Sequence, residues 1–407
     1  MSIKNFACFD LYPTAMLSDT VPEYLGGISN TPLKDFIIPF SSSGSASSSL
    51  GVSSSPDHDF TVGGQRARAL VMHKSNTSNT TNWFRLGNGA GSTFLNQTEN
   101  VGKSFREVVG FAFKWRAIGT GTVSATAQVL TAARHSGSSV ATGQNYSILA
   151  MFGNKMIANG TTLDRDFTPD QEYYVEAVLS SSLATGSTNT CTIELWIDGE
   201  LINTRDYTVG TPTTSTNNFV FFQWRLGPSE STSRTMQMMF AHFYHLSKGF
   251  DESPTAPFDN RLGPQKVRLA SVKNVVSNDD WTTEGATNPV DAWSFPNFGN
   301  DGIYVQSPED DGALSVQLQL PTNASSKIHG IQFLARTQRE GMVSRPLNYS
   351  FADQGGAVLG SGTHAPQGGA PLNVGLLMVT GTQTPDVDKL THANLSNAVF
   401  TLRAPVQ

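Results

Sequence analysis

Between Arg106 and Ile118 the chain reads REVVGFAFKWRAI, in which Val109, Phe111, Phe113 and Trp115 alternate with Gly110, Ala112, Lys114 and Arg116. A period of two is the mark of a strand with one buried face. Similar runs follow one another from Arg66 onward, among them TVSATAQVLTAAR, NYSILAMFGNKMIA, EYYVEAVLS, NNFVFFQWRLG and TMQMMFAHFYHLSKG, mostly bounded by Gly, Asn, Ser or Pro. Such spacing predicts a sandwich or jelly roll. Asp198-Gly199 in TIELWIDGELINTRDY is a strong two-residue hairpin signal, because both residues tolerate the positive φ of a type I′ turn. A turn there sets Ile197 against Glu200, Leu195 against Ile202 and Ile193 against Thr204, with Glu194 and Trp196 on the opposite face.

Near Phe250 the texture shifts to FDESPTAPFDNRLGPQKV, a Pro-rich connection before a second series of strands that includes ALSVQLQLP, KIHGIQFLARTQRE and LNVGLLMVT. The expected organisation is an N-terminal segment over 1–59, a jelly roll over 60–250, a linker over 251–263 and a smaller C-terminal β-sandwich over 264–407. Within the first segment, residues 41–57 (SSSGSASSSLGVSSSPD) have little to bury and read as a flexible loop. TPDVDKLTHANLSNA is the one helical candidate, with Thr391 as a cap.

Composition narrows the classes. Only 15% of the 407 residues are charged, and 37 are Gly, which suits strands and turns and supports an all-β chain. A net charge of -6 and the absence of a long basic run give no footprint for nucleic acid. The N-terminus lacks the pattern of a secretory leader and no apolar run reaches the length of a membrane span, so synthesis in the cytoplasm and no membrane partner are expected. Asn79, Asn96 and Asn159 head sequons that read as ordinary polar loops on that basis. Two cysteines, Cys8 and Cys191, are too few for a disulfide framework or metal cluster.

Candidate chemistry is sparse. Glu194, Asp198, Glu200 and Asp206 crowd around the hairpin, but four strand residues separate Glu194 from Asp198 by roughly 13 Å, beyond the roughly 5 to 9.5 Å of a glycosidase pair. Glu200 lies on the wrong face to partner Glu194. His242 and His245, three apart on a strand, point to opposite faces and do not chelate together. GNGAGS (87–92) lacks the spacing of a phosphate loop. Glu309, Asp310 and Asp311 in SPEDDG could offer oxygen to Ca²⁺, but a solvated acidic turn is the preferred reading, so no metal and no cofactor are expected. No nucleophile and base can be grouped by spacing. Trp83, Trp196 and Trp224 are the candidate carbohydrate-stacking residues, set against the ordinary role of tryptophan in a sandwich core.

The order FTPDQEYYVEAVL, CTIELWIDGELINTRDY, FVFFQW resembles the concanavalin or laminin-G type of jelly roll. Laminarinase-type relatives carry an E-x-D-x-x-E core on a strand. Here Trp196 stands where the Asp would be, which implies that this activity is not carried over. RLGPQKVRLASV (261–272), SPEDDGALSVQLQLP, IHGIQFLARTQREG and KLTHANLSNAVFTLRA resemble structural proteins of tailed bacteriophages, where a jelly roll runs into a second β domain. One departure is Ala241-His242, which occupies the place of an acidic pair, so no ion tied to that pair is transferred. The resemblance implies a non-enzymatic virion component of tail, fibre or decoration type, working through contacts with other virion proteins and with its own copies. The alternative is a carbohydrate-binding adhesin that contacts host-surface glycan, and a glycan depolymerase is the third reading.

Overall fold

The structure, a computed structural model, describes residues 2–7, 37–41, 48–52, 55–61, 66–74, 82–86, 104–118, 126–136, 145–182, 189–210, 218–226, 235–248, 260–294, 302–321, 327–339, 345–369, 372–382 and 387–405. The chain forms two compact units, the first ending at Val267 and the second running from Arg268 to Gln407. The boundary falls just beyond the Pro-rich 251–263 segment.

Among the described residues, the first unit contains β1 (Ser2–Ala7), β2 (Ile37–Ser41), β3 (Ser48–Val52), β4 (Leu70–Lys74), β5 (Asn82–Leu86), β6 (Ser104–Ile118), β7 (Thr126–Ser136), β8 (Asn145–Phe152), β9 (Lys155–Ala158), β10 (Thr161–Asp166), β11 (Tyr173–Ser182), β12 (Asn189–Ile197), β13 (Glu200–Gly210), β14 (Asn218–Leu226) and β15 (Thr235–Lys248). An eight-stranded sheet runs β13-β12-β11-β6-β15-β4-β3 with β1 added against β15, and a seven-stranded sheet runs β10-β9-β8-β7-β14-β5-β2. The pairs are antiparallel. This is the expected all-β sandwich.

The alternation in β6 sorts as its pattern requires. Val109, Phe111, Phe113 and Trp115 are fully buried between the sheets, where Phe111 stacks on Phe243 at 5.6 Å and Phe113 meets Phe167 edge-on. Lys114, on the other face, is also buried. Its ammonium donates to the carbonyls of Asp57 and Asp59, and burial holds it below the ordinary lysine range. The outward face of the eight-stranded sheet is thus covered as well, with its own apolar cluster that includes Phe60, Val71, Val108, Tyr174, Val178, Met239 and Tyr244.

Two expectations need correction. Residues 48–52 are not loop but strand β3, pairing with β4 in register from Ser48–Lys74 to Val52–Leu70, and Pro56–His58 forms a 3-10 turn. Ladder hydrogen bonds use only the backbone, so a Ser-rich segment can add an edge strand without apolar side chains. Residues 42–47 and 53–54 lie outside the described residues. The register of the 198–199 hairpin is also shifted beyond its first pair. Ile197 faces Glu200 as expected, but Leu195 faces Asn203 and Ile193 faces Arg205. A bulge at Ile202 is responsible, and it still leaves Ile193, Leu195 and Ile197 buried and Ile202 packed on the core.

Asp198 and Gly199 have φ of 52° and 87°, and Asp198 additionally accepts a hydrogen bond from the Tyr174 amide at 2.7 Å. Replacing both by Val is expected to destabilise the first unit by about 2–4 kcal/mol, combining two strained left-handed residues with a lost hydrogen bond. Urea unfolding of the double variant measures this, and an unchanged midpoint would refute it.

In the second unit β16 (Ser271–Asn278), β19 (Gly312–Gln319), β24 (Val399–Ala404), β21 (Leu347–Ala352) and β22 (Val358–His364) form one sheet in that order, β20 (Gly330–Thr337) pairs with β23 (Leu372–Thr380), and β17 (Thr282–Glu284) pairs with β18 (Tyr304–Gln306). Phe333 of β20 stacks on Phe400 of β24 at 4.3 Å, so the ribbon closes over the larger sheet. Among its described residues the helical candidate forms one turn, His392–Leu395, capped by Thr391 as expected, and residues 384–386 lie outside the described residues. Among the described residues no helix is long and apolar enough to cross a membrane.

Candidate functional site: the outward face of the eight-stranded sheet

Inward placement of Ile193, Leu195 and Ile197 leaves Thr192, Glu194 and Trp196 on the outward face of β12. On β13 the partners of Trp196, Glu194 and Thr192 are Leu201, Thr204 and Asp206, all exposed. On the other side, in β11, Trp196 faces Glu176. The sheet edge therefore presents a strip of one part-buried indole, one exposed leucine, two carboxylates and two hydroxyls. Next to it lies a closed polar cluster.

The closed part centres on Glu176, which is fully buried. Its carboxylate accepts from the Tyr244 hydroxyl, from Arg261 at 2.6 Å and from the Gly263 amide at 2.9 Å. Tyr174 donates its hydroxyl to the His242 carbonyl. Burial first, then the Glu176 charge, pushes both tyrosines well above their ordinary value. Neither is poised to act as a base while the cluster is closed.

The same two phenols give a pH expectation. Because their folded values lie above the ordinary 10.0, the stability they contribute is complete below pH 10 and falls as pH rises beyond it, when the unfolded chain ionises first. Alkaline titration of the melting temperature should show a drop beginning near pH 10, and the drop should shrink in the Tyr174→Phe/Tyr244→Phe variant. A drop of the same size in that variant would contradict the assignment.

A second bulge builds this site. Between Ala241 and Tyr244 the register with β6 slips by one residue, and His242 takes φ of 52°. Phe240 and Phe243 both enter the inter-sheet core while Ala241 and Tyr244 join the outward cluster. His242 accepts the Val267 amide at 3.2 Å, whereas His245 bonds Glu107 at 2.6 Å, with Ser247 donating to the other oxygen of that carboxylate. The two histidines do serve different surroundings. Among the described residues no cluster of three metal-ligating side chains occurs.

The carboxylates around the hairpin each have a local partner. Glu194 accepts Trp196 Nε1 at 3.0 Å, Asp206 accepts the Thr192 hydroxyl at 2.7 Å, and Glu200 pairs with Arg165 at 3.2 Å. In SPEDDG, Arg345 donates to the carbonyls of Pro308 and Asp310, and Arg403 grips Asp311. Two guanidinium groups already take oxygens that a calcium ion would need. Asn159 is fully buried in a tight turn, donating to Asn203 at 2.9 Å.

Of the three tryptophans, Trp196 is part-buried on the eight-stranded sheet, with the Arg261 guanidinium 3.7 Å from its ring centroid. Trp83 and Trp224 belong to β5 and β14 of the other sheet, where Trp224 faces Phe84 and Trp83 faces Arg225. The three do not share a sheet. The side chains of Trp83 and Trp224, like the 87–92 segment, lie outside the described residues. Sequence reasoning missed Glu176 and Arg261. A lone Glu between Val175 and Ala177 in an otherwise apolar run was the available signal.

No family profile and no curated protein matches the chain. Among solved structures it is similar to a PL-14 alginate lyase from Aplysia kurodai (13% identity, TM-score 0.34, covering 61% of this chain and 100% of that one). It is also similar to an endo-β-1,4-glucuronan lyase from Trichoderma reesei (14%, 0.31, 50% and 91%) and to lectin II from Ulex europaeus (12%, 0.30, 61% and 100%). The expectation of a non-enzymatic structural building block is corrected by these findings, since polysaccharide lyases and lectins are among the solved structures the chain is similar to. The expectation that the chain is no enzyme falls with it, because lyases recur among them. At these scores the likeness assigns the chain no activity of its own.

Proposed function

We propose that the first unit binds glycan on the outward strip of β12 and β13, with Trp196 as the stacking platform. One observation carries this reading. Trp196 is held in place by Glu194 and Arg261 and still reaches the surface, beside Leu201 and a row of acceptors and hydroxyls formed by Glu194, Thr204, Thr192 and Asp206. A fixed indole costs little entropy on binding, and carboxylates accept hydrogen bonds from sugar hydroxyls. The same carboxylates repel a uronate chain, as does the net charge of -6. The ligand class is therefore a glycan without acidic sugars.

The resemblance to bacteriophage virion proteins supplies a setting in which such a surface is useful, a particle that must hold to an envelope polysaccharide. Other particle proteins and further copies of this chain are the partners in that setting. Trp83 and Trp224, whose side chains lie outside the described residues, are not part of the proposal.

Calorimetry of the full chain against uncharged, amino-sugar and uronate oligosaccharides of equal length tests the reading. Saturable binding of at least one series without acidic sugars, with uronates at least about tenfold weaker, is expected, and the gap should narrow as salt screens the carboxylates. Preference for uronates would overturn it.

A further inference from the structure

The last residues of the first unit form a strap with a defined seat. Arg261 lays its guanidinium over the Trp196 ring at 3.7 Å, donates to Glu176 at 2.6 Å and to the Gly199 carbonyl at 3.2 Å. The amides of Leu262, Gly263 and Val267 donate to the Tyr244 hydroxyl, to Glu176 and to His242 Nδ1 at 3.1, 2.9 and 3.2 Å. An aromatic face, a carboxylate and a carbonyl converging on one point make a receptor for a cation. The chain fills that receptor with its own Arg261. The filling group sits on the ring where a sugar would stack.

Two facts decide what could replace it. The Glu176 side chain has no exposure, so departure of Arg261 leaves a buried charge that a neutral sugar does not compensate. Arg261 itself keeps 18% of its side-chain surface in solvent, so the group that covers the seat is in contact with water. We propose that the strap is a latch on the Trp196 face, opened by a glycan with free amino groups whose ammonium takes the place of the guanidinium at Glu176. This rests on the glycan-binding reading of the same face and narrows its ligand to amino sugars. Opening frees Arg261 to Val267, immediately before the residue where the second unit begins.

Hydrogen exchange at the Leu262, Gly263 and Val267 amides of the full chain reads the latch directly. A glucosamine oligomer at saturation should raise their exchange at least about tenfold, while the N-acetylglucosamine oligomer of the same length leaves them protected. Calorimetry adds a second reading, in which Arg261→Met, with the internal competitor removed, binds the glucosamine oligomer about tenfold tighter than the parent chain. The exchange measurement needs no variant and stands even where Arg261→Met does not fold. Glucosamine binding with the three amides still protected, or equal affinity for the two oligomers, would overturn the latch and leave glycan binding in place. No saturable binding of any oligosaccharide would overturn both.

Discussion

Replacing Trp115 by Ala should cost the first unit about 3–5 kcal/mol, the range for deleting a buried aromatic side chain. Trp115 is the largest fully buried side chain in the described residues, and its Nε1 donates to the Phe167 carbonyl at 3.2 Å. The substitution therefore opens a large cavity and leaves that carbonyl without its donor, and the surrounding sheets cannot collapse to fill the space. Urea unfolding followed by hydrogen exchange in β6 and β11 would report the loss. A shift below about 1 kcal/mol would mean that the inter-sheet core is not packed as described.

The second large effect is expected at the strap. Arg261→Met keeps apolar contact with Trp196 but leaves Glu176 charged, buried and short of its cation, which costs about 3–5 kcal/mol when one partner of a buried pair is removed. Changing Glu176→Leu together with Arg261→Met should recover only part of that loss, because both charges leave the interior while the Tyr244 hydroxyl and the Gly263 amide lose their acceptor. A double-mutant cycle on thermal unfolding separates the pair from its surroundings. Additive effects would show that Arg261 and Glu176 do not depend on each other.

Parts of both units were legible from pattern alone. The odd positions of β6 announced their burial, Asp198-Gly199 announced its turn, and Thr391 announced a helix start, because in each case the physics is local. The bulges at Ile202 and His242 were not legible. One extra residue in a strand changes neither composition nor local propensity, yet it reverses which side chains face the core, and only the partner strand reveals it. Strand β3 was hidden for the opposite reason, since a serine-rich segment gives no apolar period and its pairing relies on backbone groups.

The candidate site was half visible. Trp196 was picked out, and the structure holds it where a stacking residue would be useful. Its neighbours Glu176 and Arg261 lie 85 residues apart in the chain. The first sits inside an apolar run and the second inside a Pro-rich connection that reads as a linker, so neither context hints at the other. What joins them is sheet register, which places Glu176 opposite Trp196, and a strap that crosses the finished face.

Trp196 is the centre of the proposed glycan site. The direct test is calorimetry of the Trp196→Ala variant, with its fold verified by near-ultraviolet circular dichroism, against the oligosaccharide that the parent chain binds best. At least about a tenfold loss of affinity is predicted, in line with the removal of one stacking platform. Affinity equal to that of the parent would contradict the assignment of this face as the glycan site.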